Sequence, residues 1–196
     1  MSLLLKIEKI PNNIFKELKK IIKIKKVKAN DTLAGNMKEE YYVNEYGYLL
    51  EKYLLDVIFK YEPLVDNMDR THKAFTEHRP LTLSNLWINH QRKHEFNPIH
   101  NHSGVFSFII FMQIPFLIKD QDKVSPGKYS NGNKAGRLAF LEITPTGRIT
   151  EKIFDVDKTW EQSALIFPAE LNHTVYPFYK VNKPRITISG NIRFKV

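Results

Sequence analysis

Seven short runs of β-branched and aromatic residues, parted by Gly, Pro, Asn and Asp, fill most of the chain from residue 81 onward: 81–91, 104–115, 136–143, 148–156, 163–167, 173–179 and 184–195. Turn-forming residues at such intervals send the chain back on itself, so this part is expected to be an antiparallel sandwich or barrel. The first third reads differently. Ile14, Leu18, Ile21 and Ile22 stand at helical spacing within residues 12–26, and Asn12 or Asn13 is placed to cap the start. Residues 29–37, ANDTLAGNM, are turn-rich and predict a loop. Leu49, Leu50, Tyr53, Leu54, Val57, Ile58 and Tyr61 then recur at steps of three and four, which predicts a long helix between Tyr46 and Arg70 that ends near Pro63. The expected architecture is mainly β with flanking helices, in one domain over 1–196: a helical support in 1–70 and a β core in 80–196.

Composition narrows the chemistry. With no Cys, disulfides, thiolate ligation and a Cys nucleophile are excluded, and any metal site must use His and carboxylates. The opening MSLLLKIEK returns to charge after three leucines, and no stretch approaches the roughly 20 apolar residues of a membrane span. A cytoplasmic protein with no membrane partner is expected; a homo-oligomer is compatible with the sequence. The net charge of +9 raises nucleic acid as a partner, and seven lysines fall between Lys16 and Lys28. No Arg or aromatic is interleaved there, as a base-stacking surface would want, so the solvated face of a helix is favoured over a phosphate-binding patch. Residues 118–135, nearly devoid of apolar side chains, are expected to be an exposed insertion, either a gate or a long hairpin connection.

The candidate chemistry lies in the histidines. His100 and His102 stand two apart in NPIHNHSG, just before the apolar run VFSFIIFMQIP. In extended chain, residues i and i+2 share a face, so two imidazoles can aim at one point. That pair alone is weak; His173, in IFPAELNHTVYPF, supplies a third imidazole from a distant predicted strand. Neutral imidazoles suit Fe, Zn, Cu or Ni. Pro98 and Pro168 are expected to shape the turns that aim His100 and His173. His72, His78, His90 and His94 lack a partner at ligand spacing.

Past His173, KPRITISGNIRF alternates Arg185, Thr187, Ser189 and Asn191 with Ile186, Ile188 and Gly190. An Arg followed two residues later by a hydroxyl suits a dicarboxylate, although an exposed strand face predicts the same alternation. Asn89 and Gln91 share a face with Trp87 in the strand before the histidines, and either line a pocket or are ordinary polar positions. Phosphate-loop, dinucleotide, serine-hydrolase and zincin motifs are absent.

The stretches LWINHQRKHEFNPIHNHSGVFSFIIFMQIP, LIFPAELNHTVYPF and KPRITISGNIRF resemble the catalytic core of 2-oxoglutarate/Fe(II) oxygenases, in particular phage and marine-bacterial members; LAGNMKEEYY is similar to the same group. The resemblance implies a double-stranded β-helix (jelly roll, cupin-like) and a dioxygenase using Fe(II), 2-oxoglutarate and O2 to hydroxylate a protein side chain, nucleobase or small molecule. It further implies His100 and His173 as metal ligands, Arg185, twelve residues after His173, as the 2-oxoglutarate anchor, Thr187 as its helper and Asn191 near the metal. At the second ligand position the family usually has Asp or Glu; here stands His102, which makes a three-His set. A cupin-type three-His enzyme without 2-oxoglutarate is the first alternative, although the Glu that cupins carry after H-x-H is missing from SGVFSF. A non-enzymatic basic β-sandwich is the second.

Overall fold

In a computed structural model of the chain, the structure describes residues 4–24, 27–43, 48–61 and 80–195. Among these residues lie eleven strands: β1 (Leu5–Ile7), β2 (Val27–Lys28), β3 (Glu40–Tyr42), β4 (Leu81–Gln91), β5 (Asn97–His100), β6 (Phe106–Gln113), β7 (Leu138–Ile143), β8 (Ile149–Phe154), β9 (Ala164–Pro168), β10 (His173–Val175) and β11 (Arg185–Phe194). The helices are α1 (Asn12–Ile21), α2 (Tyr48–Phe59) and α3 (Ile118–Val124). The strands form a seven-stranded sheet, ordered β1-β9-β6-β11-β4-β3-β2, and a four-stranded sheet, ordered β5-β10-β7-β8. This is the double-stranded β-helix expected from the sequence.

The sheet order follows from two-sided burial. In β6 every residue from Phe106 to Met112 is buried. Phe106, Phe108, Ile110 and Met112 face a core shared with α1 and α2, whereas Ile109 and Phe111 face a second core with Phe140, Phe167 and Phe178. Such an unbroken apolar run belongs at the middle of a covered sheet. Strand β11 alternates instead: Ile188 and Ile192 enter the helix-side core, and Arg185, Thr187 and Ser189 line a cavity between the sheets. Gly190 fits because any Cβ there would lie 2.5 Å from Asn85 O and from Phe108 Cζ.

Helix α1 buries Ile14, Phe15, Leu18 and Ile21 and leaves Lys16, Lys19, Lys20 and Lys23 exposed, the solvated-face reading of the lysines. Its N-cap is Pro11 with no side-chain cap. Asn12, expected to cap, instead accepts a hydrogen bond from Gln162 Nε2 at 2.8 Å. Helix α2 covers the central part of the predicted second helix; its expected end near Pro63, and His72 and His78, lie outside the described residues. Residues 118–135 are not the exposed insertion predicted. They open with α3, whose Ile118 and Gln121 are buried. The buried Gln121 is satisfied on both sides, donating to Tyr179 O at 3.1 Å and accepting from Tyr179 N at 2.7 Å. A polar side chain that finds such partners packs inward and defeats a reading by hydropathy.

Gly190→Ala should lower stability by about 1–3 kcal/mol through overpacking, measured by urea unfolding. Gly132→Ala is the control: its added methyl would have Ser130 Oγ, 3.7 Å away, as nearest neighbour, and its effect should stay within roughly 0.5 kcal/mol.

Candidate metal centre and pocket

His100 ends β5 and pairs across the small sheet with His173, which opens β10. His102 lies just beyond the strand, where its backbone N–H donates to Ala169 O at 2.8 Å. The extended segment expected to carry both residues thus stops at His100, yet the ring centroids of His100 and His102 stand 4.9 Å apart, and those of His100 and His173 4.3 Å. One ligand nitrogen from each of the three lies within 4.8 Å of the others. His100 Nδ1 bonds Pro98 O at 2.8 Å and His173 Nδ1 bonds Leu171 O at 2.9 Å. A carbonyl only accepts, so both Nδ1 atoms carry the proton and both Nε2 lone pairs are free for a metal. Pro98 therefore orients His100 as predicted, by its carbonyl as much as by its turn; Pro168 accepts from Leu171 N at 3.0 Å, upstream of His173.

Burial keeps all three imidazoles neutral, the form that ligates. His100 is lowered by burial, opposed by its bond to the Pro98 carbonyl. His102 is lowered to about 4 by burial and by His100, and His173, 2% exposed among Phe140 and Phe167, to about 3 by burial and then the other histidines. Three neutral nitrogen donors converging on one point fit a divalent transition metal.

The histidines open on a cavity of about 570 Å³ whose walls include Met37, Trp87, Asn89, Gln91, Ile109, Phe111, Leu138, Arg185, Thr187 and Ser189. Arg185 is 3% exposed. Its Nε and Nη2 donate to Gln91 Oε1 at 2.8 and 2.5 Å, Nη1 to Gly136 O at 2.7 Å and Nη2 to Tyr176 O at 3.2 Å. Gly136 presents that carbonyl from a left-handed conformation, φ 75°, open to glycine at little cost. Phe116 and Phe178 stand 5.7 and 5.9 Å from the guanidinium. All these partners are neutral, and among the described residues no carboxylate pairs with Arg185. Burial lowers its pKa to about 9, which leaves it a cation at neutral pH.

The structure thus gathers His100, His102, His173, Arg185 and Thr187 around one cavity. Asn191 is not among the lining residues; its Oδ1 accepts from Ser107 Oγ at 2.8 Å, behind the wall. Asn89 and Gln91 do line it, on the face of β4 that Trp87 marked. His94 is exposed, and neither it nor His90 lines the cavity. Met37 and Ser189 were missed. Ser189 was legible from its parity with Arg185 and Thr187, whereas Met37 sits in a loop that has no periodicity to read.

Fold and site together define a β-helix oxygenase scaffold with a metal-competent histidine cluster and a basic pocket. The sequence model of the family described as "Putative 2OG-Fe(II) oxygenase" matches residues 85–191, and the chain belongs to that family. It is therefore a 2-oxoglutarate-dependent dioxygenase, of a family that uses Fe(II), 2-oxoglutarate and O2. Among curated proteins no sequence matches it. Solved structures with the same fold include a prolyl-4-hydroxylase from Pseudomonas putida, at 10% identity and TM-score 0.51, covering 97% of this chain and 92% of that one. Another is a prolyl hydroxylase from Trichoplax adhaerens, crystallised with a hypoxia inducible factor peptide, at 11% identity and TM-score 0.51, covering 97% and 82%. Among the described residues no helix is long and apolar enough to cross a membrane.

In the metal-free protein the histidine shifts set a sign. The unfolded chain binds protons near the ordinary imidazole value of 6.5, and the folded chain only near 4 at His102 and 3 at His173. Their contribution to stability is complete above about pH 6.5 and is lost as pH falls toward 4. Urea midpoints of wild type and His173→Asn at pH 7.5 and 5 should show a smaller acid loss in the variant; equal losses would contradict the burial of His173.

Proposed function

We propose that His100, His102 and His173 hold Fe(II), that Arg185 with Thr187 receives the distal carboxylate of 2-oxoglutarate, and that the protein hydroxylates a C–H bond of a protein side chain or small molecule. The observation that carries this reading is Arg185: a buried cation with only neutral partners, lining the same cavity as the three histidines. Burying a charge is costly unless it is paired, so a pocket that keeps one awaits an anion. Bound Fe(II) with 2-oxoglutarate and O2 would supply the oxidising chemistry.

The chain's own residues do the rest. Pro98 and Leu171 carbonyls fix the tautomers of His100 and His173. Gln91 accepts from two guanidinium nitrogens and so fixes the plane of the Arg185 fork. Trp87, Ile109, Phe111 and Leu138 give the cavity an apolar lining that excludes water from the reacting groups.

With Fe(II) and ascorbate, the wild type should bind 2-oxoglutarate by calorimetry and form succinate; if it binds none, the reading is wrong. Arg185→Ala should weaken 2-oxoglutarate binding by roughly 100-fold, the loss of two charge-assisted hydrogen bonds, with metal content unchanged. His100→Ala or His173→Ala should abolish both metal retention and succinate formation.

A further inference from the structure

The cavity wall has a second polar group of residues that the reading above leaves without a task. Glu40, 1% exposed, sits on β3 directly opposite Asn89 of β4. Opposed residues of antiparallel strands point to one face, so Glu40 lies on the same face as Trp87, Asn89 and Gln91, which line the cavity. Gly35 draws the loop before β3 onto this carboxyl: a Cβ at that position would run into both the Glu40 carboxyl group and Met37 Cε. The loop is held firmly, by Asn30 Nδ2 donating to Met37 O at 2.7 Å, Asn36 N to Phe96 O at 2.9 Å and Lys38 N to Glu95 Oε1 at 3.1 Å.

Within this fixed wall, Glu40 Oε2 and Asn89 Oδ1 are both buried and, among the described residues, have no hydrogen-bond partner. Asn89, 8% exposed, gives its Nδ2 to Thr187 Oγ1 at 3.3 Å. Strand β11 lies on one side of β4 and β3 on the other, so that bond leaves Oδ1 on the side toward Glu40. A buried polar atom without a partner costs about 1–3 kcal/mol, and two on neighbouring strands mark a place that a ligand completes.

The chemistry of the two atoms selects the ligand. Both are acceptors, and 2-oxoglutarate offers only acceptors of its own, two carboxylates and a keto oxygen, so it cannot complete them. The cavity is polarised, with the donors of Arg185 at one part and the acceptors of Glu40 and Asn89 at another. We propose that Glu40 and Asn89 form the subsite that recognises a nitrogen donor, an ammonium or guanidinium group, on the substrate to be hydroxylated; this inference rests on the oxygenase reading of the same cavity. Burial, and then the charge of Glu95, raise the Glu40 carboxyl to about 7. A cation seated against it favours the carboxylate and replaces an isolated buried charge by a pair.

The test uses the Zn(II)-loaded protein with N-oxalylglycine in place of 2-oxoglutarate and follows the Met37 ε-methyl resonance by NMR. Methylammonium should shift it saturably, and tetramethylammonium, a cation with no N–H, should not. Glu40→Gln, which turns an amide N–H₂ toward the probe, and Asn89→Ala should each weaken the methylammonium response at least fivefold. Glu40→Gln should leave N-oxalylglycine affinity within twofold by calorimetry and the thermal midpoint close to wild type. A wild type that does not respond, that responds equally to both cations, or that responds as strongly after Glu40→Gln overturns the subsite, as does a large loss of N-oxalylglycine affinity in Glu40→Gln. Failure of the oxygenase reading shows separately, as absence of N-oxalylglycine binding by the wild type.

Discussion

A guanidinium taken out of water without a counter-charge organises this molecule. Arg185 begins β11 in the large sheet, but its bonds reach Gln91 on β4, Gly136 just before β7 and Tyr176 just after β10. The two sheets are thus pinned to each other at the position where the cavity must stay open. Each bond offsets part of the desolvation cost and none removes the charge. The stability given up there is recovered when an anion arrives, so folding and co-substrate recognition draw on the same side chain.

The three histidines add to that imbalance. Where a carboxylate stands among the ligands, the protein itself neutralises half of a divalent metal's charge; His102 leaves it whole. A dianionic co-substrate would then compensate the metal and Arg185 together, and its binding should weigh more in the electrostatics of this pocket than in one with an acidic ligand.

The sequence disclosed those parts of the molecule in which one periodicity dominates. All seven predicted β runs contain a strand, because β6 and β9 are apolar on both faces and β4 and β11 alternate over ten residues or more. His100, His102, His173 and Arg185 were legible through spacing combined with a family resemblance. What stayed hidden is short or held by side-chain bonds. Strand β5 has four residues with Pro98 among them, and β1 and β3 have three each. Helix α3 folds inward on the two hydrogen bonds of one glutamine. Glu40 was invisible because its burial depends on Gly35 and on β3 lying beside β4, neither of which a local pattern encodes. Asn191 shows the opposite error: it keeps the parity of Arg185 and Thr187, but the register shift after it and its bond to Ser107 take it out of the cavity.

The position of β11 in the large sheet has a consequence for biosynthesis. The last of the eleven strands to be made is also the fourth of seven in that sheet, flanked by β4 and β6, which it joins along nearly its whole length. While the ribosome is still working through the segment before Arg185, the sheet exists only as two separate parts, β1-β9-β6 and β4-β3-β2, with an open seam between them. The histidines are already synthesised by then, but the wall that faces them is not. Loading with metal and co-substrate must therefore follow translation of this segment, and a chain cut anywhere before it would carry every ligand and yet have no pocket.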